Sequence, residues 1–110
     1  MRLSPLDPLH YAMLGTRAFT HMMEYEDAQA AAWADRAAHA PGAHVLIAMV
    51  AAAANGLAGD ATRAANWARD VRNRHPGLSV ADFFRAFPMR SDEQRQRIGR
   101  VLAHYGIPDH

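Results

Sequence analysis

The chain has 110 residues, half of them hydrophobic, a formal net charge of +1 at pH 7 and no cysteine. That length implies one domain with a core but much surface for its volume. The near-neutral charge supplies no overall field for nucleic acid or an anionic membrane, and the lack of cysteine excludes disulfides, thiolate metal sites and a Cys nucleophile. Alanine contributes 24 residues. With β-branched residues scarce, this composition favours closely spaced helices over a sheet.

The N-terminus, "MRLSPLDPLHY", lacks the apolar core of a signal peptide. The longest apolar stretch, "VLIAMVAAAANGLAG", is too short and too rich in Ala for a membrane span, so cytoplasmic residence is the default expectation. Asp7 followed by Pro8 reads as an N-cap with Pro at the first helical position, starting a helix that runs to about Met23. "EYED" breaks the pattern. A second helix then spans about Asp27 to His39 and stops at Pro41-Gly42; a third spans about Ala43 to Ala58, ended by Gly59. Asp60 caps a fourth, to about His75, closed by Pro76-Gly77. In "LSVADFFRAFP", Ser79 caps a short helix ending before Pro88. The last helix opens with Ser91 and Gln94 at capping-box spacing and stops at Gly106 and Pro108. Its Ile98, Val101, Leu102 and Tyr105 make one buried stripe.

Two phrases recur, "AWADRAAHAPG" and "NWARDVRNRHPG". Trp33 and Trp67 lie 34 residues apart, as do Ala30 and Ala64, Ala34 and Ala68, and Tyr25 and Gly59, while the Pro-Gly pairs are 35 apart. A period of 34 with two helices per unit resembles the tetratricopeptide repeat. Set on that family's pattern, the first unit holds Leu14, Arg17, Ala18, His21, Ala30, Ala34 and Pro41, and the second Ala48, Ala51, Ala52, Asn55, Ala64, Ala68 and Pro76. The small positions are kept as Ala, the large ones have shrunk, and each Trp sits one place before the family's aromatic. The resemblance implies an all-α fold of stacked antiparallel hairpins, an α-α superhelix. Residues 8–41 and 42–77 are the two units, and 79–106 a divergent capping pair. The stretches "RLSPLDPLHYAMLG", "HPGLSVADFF", "FPMRSDEQRQRI" and "YGIP" also resemble the C-terminal tetratricopeptide portion of bacterial adenylate cyclases and winged-helix transcriptional regulators. That likeness implies a fragment or a free-standing relative, since the cyclase metal-binding carboxylates and a winged helix do not occur.

Little points to chemistry. The seven His stand at 10, 21, 39, 44, 75, 104 and 110, with no two three or four apart as a helical ligand pair requires; they read as surface or capping residues. Ser4, Ser79 and Ser91 fit caps or turns, and there is no nucleophile elbow or phosphate loop. Neither an enzyme nor a cofactor or metal site is expected. Arg69, Arg72 and Arg74, and Arg95, Arg97 and Arg100, read as solvated faces without interleaved aromatics, so nucleic acid is not expected as a partner.

In tetratricopeptide arrays the first helix of each pair lines the concave face. Carried over, the resemblance places Ala12, Gly15, Phe19 and Met22, with Leu46, Met49 and Ala53, along an apolar groove. The groove lacks the cations that clamp a peptide carboxylate, and its Met residues suit an apolar partner helix. Against this, "DFFRAF" is able to fold back and fill the groove as core. The first helix is apolar almost all round, which implies self-association or docking on a preceding repeat. The expected function is a protein–protein interaction or oligomerisation module of a signalling or regulatory protein. The alternative is a sensor enclosing a small apolar ligand and coupled to an output domain.

Overall fold

The structure, a computed structural model, describes residues 8–110, with side chains from residue 13 onward. Among these residues it is all-helical: α1 (Pro8–Met23), α2 (Asp27–His39), α3 (Val45–Leu57), α4 (Ala61–Arg74), α5 (Val80–Ala86) and α6 (Asp92–His104). None of these helices is long and apolar enough to cross a membrane.

Most helix boundaries follow their local signals. Asp60 Oδ1 accepts the Arg63 N–H at 3.0 Å and caps α4. Ser79 and Asp82 form a complete capping box on α5, and the next amides, of Val80 and Ala81, donate to the carbonyls of Pro108 and Asp109 at 2.8 and 3.1 Å. The free N–H groups of that short helix are thus satisfied by its own cap and by the C-terminal tail. His44 Nδ1 accepts the Leu46 N–H at 3.1 Å, so α3 starts at Val45 rather than at Ala43. The Asp7 cap lies outside the described residues. At α6 only half of the expected box forms. Ser91 Oγ accepts the Gln94 N–H, but the Gln94 side chain is buried and donates to the Met23 carbonyl at 3.0 Å instead.

The turns inside the two helix pairs correspond. Tyr25, between α1 and α2, has φ +61°, and Gly59, 34 positions on, has φ +87°. Glycine adopts this left-handed conformation freely, whereas a tyrosine there costs about 1–3 kcal/mol. Contacts with α6 hold Tyr25 in place. Its hydroxyl donates to Glu93 Oε1 at 2.9 Å, and the Arg97 guanidinium lies 4.5 Å from its ring centroid. Glu93, as acceptor, raises the phenol pKa above its ordinary value, with a smaller contribution from burial. Arg97 also donates to the Met22 carbonyl at 2.9 Å and pairs with Asp27 at 3.0 Å. Residues of α6 therefore satisfy the carbonyls that α1 leaves open at its C-terminal end.

Successive helices pack α1 on α2, α2 on α3 and α3 on α4, but the series does not continue from α4 to α5. Instead α5 and α6 turn back onto α3, which packs against each of the other five helices. Such a central position requires a helix without a polar face. In α3, Val45 and the run Ile47 to Asn55 are buried, five of them alanines. Alanine lets neighbouring axes approach closely without losing helix propensity. The same logic operates on the facing helices, where Ala18, Ala30, Ala34, Ala64 and Ala68 are fully buried. Phe83 of α5 supplies the bulk that the alanines lack. It is fully buried and packs on Phe84 and Phe87, with centroids 5.4 and 5.1 Å away.

Helices α3 and α6 pack tightly at Gly56, where an added Cβ would collide with Val101 Cγ2 of α6 and press on Tyr105 at its end. Alanine gains about 1 kcal/mol of helix propensity over glycine, while overpacking costs about 1–3 kcal/mol. Gly56→Ala is thus expected to lower the urea midpoint, with a net loss of about 1 kcal/mol. A second expectation concerns acid. The Ser79 amide, then its hydroxyl, hold the Asp82 carboxyl below its ordinary 3.8, with Arg85 adding a smaller effect. A depressed folded-state pKa stabilises fully above the unfolded value and is lost as pH falls through the folded one. Asp82→Asn should therefore flatten the fall of melting temperature with pH between roughly pH 5 and 2, and an unchanged slope would contradict this assignment.

Candidate functional site

Most of the residues that the repeat register places along an apolar groove are buried, and Ala12 lies outside the residues whose side chains are described. Met22, Met49 and Ala53 are fully buried in the core. Gly15 is buried, and a Cβ there would meet Ile47. Phe19 is half-buried, its ring stacked on Phe87 with centroids 5.5 Å apart. Leu46 is half-buried at the edge of a shallow hollow with His75, Leu78, Asp82, Arg85 and Ala86. The cause is the return of α5 and α6: "DFFRAF" fills the face that the register leaves open, and Phe83 seals it. Part of the Phe19 ring is thereby used in packing against α5. On α1, Met13 does remain exposed, at 58%.

Accessible relief is found on the second helices of the two pairs. A groove of about 760 Å³, open to solvent, runs between α2 and α4. Asp35, Arg36 and His39 form one wall, Arg63, Asn66, Trp67 and Asp70 the other, with Leu14 and Ala40 completing it. Asp35 organises it. Its Oδ1 accepts from Asn55 Nδ2 at 2.8 Å and from the Trp67 indole N–H at 2.9 Å, and its Oδ2 accepts from Arg63 at 2.8 Å. One carboxylate, its side chain only 13% exposed, thus joins α2 to α3 and α4. Charge-assisted bonds of this kind are stronger than neutral ones, and their shared acceptor fixes the Trp67 indole at the groove wall. His39 meets Trp67 edge-on at a centroid distance of 4.9 Å. Asp70 is paired along α4 with Arg74 at 3.2 Å, and Arg74 reaches back to the Ala43 carbonyl at 2.9 Å.

The other tryptophan has different company. Arg17 of α1 and Arg36 of α2 both lie over the Trp33 ring, 4.2 and 4.6 Å from its centroid. Although Trp33 and Trp67 occupy equivalent places in the repeat, both are half-buried, and it is the adjacent Ala34 and Ala68 that pack in the core. The tryptophans instead shape the outer surface. Sequence spacing alone brings Arg36 within one helical turn of Trp33. The approach of Arg17, and the convergence of Asn55, Arg63 and Trp67 on Asp35, depend on how separate helices pack. Among the described residues, no three His, Asp or Glu side chains converge as a metal site would require.

Comparison of the chain with family models, with curated proteins and with solved structures returns no match.

Removing the Asp35 carboxylate would leave the buried ends of Asn55 and Trp67 each one acceptor short, at about 1–3 kcal/mol for an unsatisfied buried donor. Asp35→Ala is expected to lose about 2 kcal/mol in urea unfolding, and Asp35→Asn, which keeps one oxygen, distinctly less. Equal, small losses for the two variants would show that the groove wall does not depend on this carboxylate.

Proposed function

We propose that this chain is a tetratricopeptide-like interaction or oligomerisation module of a bacterial signalling or transcriptional regulatory protein. It acts by binding a protein partner or a second copy of itself and carries out no catalysis of its own. The observation that carries this reading is the equivalence of the two helix pairs. At a spacing of 34 residues both have a left-handed residue at their inner turn and fully buried alanines on their second helix. The regulatory context rests on the resemblance of the stretches around "HPGLSVADFF" and "FPMRSDEQRQRI".

A small-ligand sensor is the competing reading. It needs a hollow that closes around its ligand and a few polar anchors. The groove between α2 and α4 is open along its length, which favours a segment of another chain over an enclosed molecule.

Native mass spectrometry of gently purified protein distinguishes the two. An interaction module gives whole multiples of the chain mass, and its melting temperature is unchanged after dialysis or mild denaturation and refolding. A constant small added mass, whose removal lowers the melting temperature as mass action requires, would overturn the proposal in favour of the sensor.

A further inference from the structure

We infer that the groove between α2 and α4 binds an acidic peptide segment of a partner protein, gripped by Arg36 and Arg17. The inference rests on the interaction-module reading and adds to it the place and chemistry of the contact. Most arginines of the described residues are already engaged. Arg63 pairs with Asp35, Arg74 with Asp70, Arg85 with Asp82, Arg95 with Asp92 and Arg97 with Asp27, while Arg72 and Arg100 donate to backbone carbonyls. Arg69 and Arg90 have neither a carboxylate nor a ring. Arg17 and Arg36 differ from both groups, because the guanidinium carbon of each lies over the Trp33 ring and no carboxylate neutralises either. A guanidinium held over a ring uses none of its N–H donors on a carboxylate, so the pair is positioned for carboxylate oxygens in advance of binding.

The groove beside them is complementary to acceptors. Its own carboxylates are compensated, Asp35 by three donors and Asp70 by Arg74. The polar groups left over are the Arg36 guanidinium, the exposed Asn66 amide and the exposed His39 ring. Trp67, Leu14 and Ala40 give apolar surface between them for the stems of the bound side chains. The volume of about 760 Å³ accommodates several side chains of an extended segment. A nucleic-acid backbone fits less well. A DNA duplex presents a charge about every 1.7 Å, far more than the two uncompensated guanidiniums of Arg17 and Arg36 can neutralise. Discrete carboxylates, spaced by a peptide, need only those two arginines.

The probe is a fluorescently labelled dodecamer rich in Glu, with a Gln-substituted dodecamer and oligothymidine of similar length as comparisons, all read by anisotropy. The Glu peptide is expected to bind at least about tenfold more tightly than the Gln peptide and to weaken with added salt. The double variant Arg17→Ala/Arg36→Ala should reduce that affinity about tenfold or more, while Arg69→Ala/Arg90→Ala, with the same net charge, should leave it within about twofold. All four side chains are exposed, and an unchanged melting temperature verifies that both variants fold. Equal losses in the two double variants, no preference for Glu over Gln, or binding of oligothymidine as tight as that of the Glu peptide would each overturn the proposal. Failure of the broader reading shows separately, as a small molecule bound in the native mass spectrum.

Discussion

A single buried helix sets the arrangement of all the others. Helix α3 has neighbours on every side, and a helix in that position cannot carry a solvated face. Its sequence meets this constraint with alanines at 48 and 51–54, among a few larger side chains. Small residues bring helix axes close together but fill little volume, so the bulk of the core must come from elsewhere. It comes from Met22 of α1, Val71 of α4, Phe83 of α5, and Ile98 and Leu102 of α6, all of them essentially fully buried. Gly56 extends the same logic, since Val101 and Tyr105 occupy the space where its side chain would be.

This constraint also determines which surface remains exposed. Two hairpins alone would leave one face of α3 and its apolar neighbours in water. The helices α5 and α6 cover that face, fastened to the end of α1 by the bonds from Gln94 and Arg97 and at Tyr25 by Glu93. The residues that look most like a binding stripe, Met22 and Met49, are therefore core. Relief is left on the opposite side, where α2 and α4 lie beside one another and Asp35 ties them together through Trp67 and Arg63. Polar groups, fixed in position and partly uncompensated, replace the apolar groove as the chemistry of that surface.

How much of this was legible in the sequence depends on the range of each signal. Helix ends are written locally, by Pro41-Gly42, Asp60, Ser79 and Gly106, and these stops and caps stand within two residues of the observed boundaries. The equivalence of Tyr25 and Gly59 was also readable, from a fixed spacing. The destination of α5 and α6 was not, because a turned-back helix pair and a continued stack bury the same apolar stripe, and periodicity cannot distinguish their partners. For the same reason Gln94 read as part of a local cap, although its side chain serves another helix. The acceptor role of Asp35 joins residues 20 to 32 positions away, beyond any helical repeat. Arg36 could be placed near Trp33 by spacing, but nothing in the sequence shows that Arg17 joins them from α1.

The central claim is that α3 is the closed axis of the domain and that α5 and α6 belong to its core. Native-state hydrogen exchange across a denaturant series tests this most directly. The expected result is that the α3 amides exchange only through global unfolding and that the amides of α5 and α6 near Phe83 and Ile98 open at the same free energy. Opening of α5 and α6 at a much lower free energy, with α3 amides near Met49 becoming exposed in the same step, would contradict it. That outcome would open the Met22 and Met49 face to solvent.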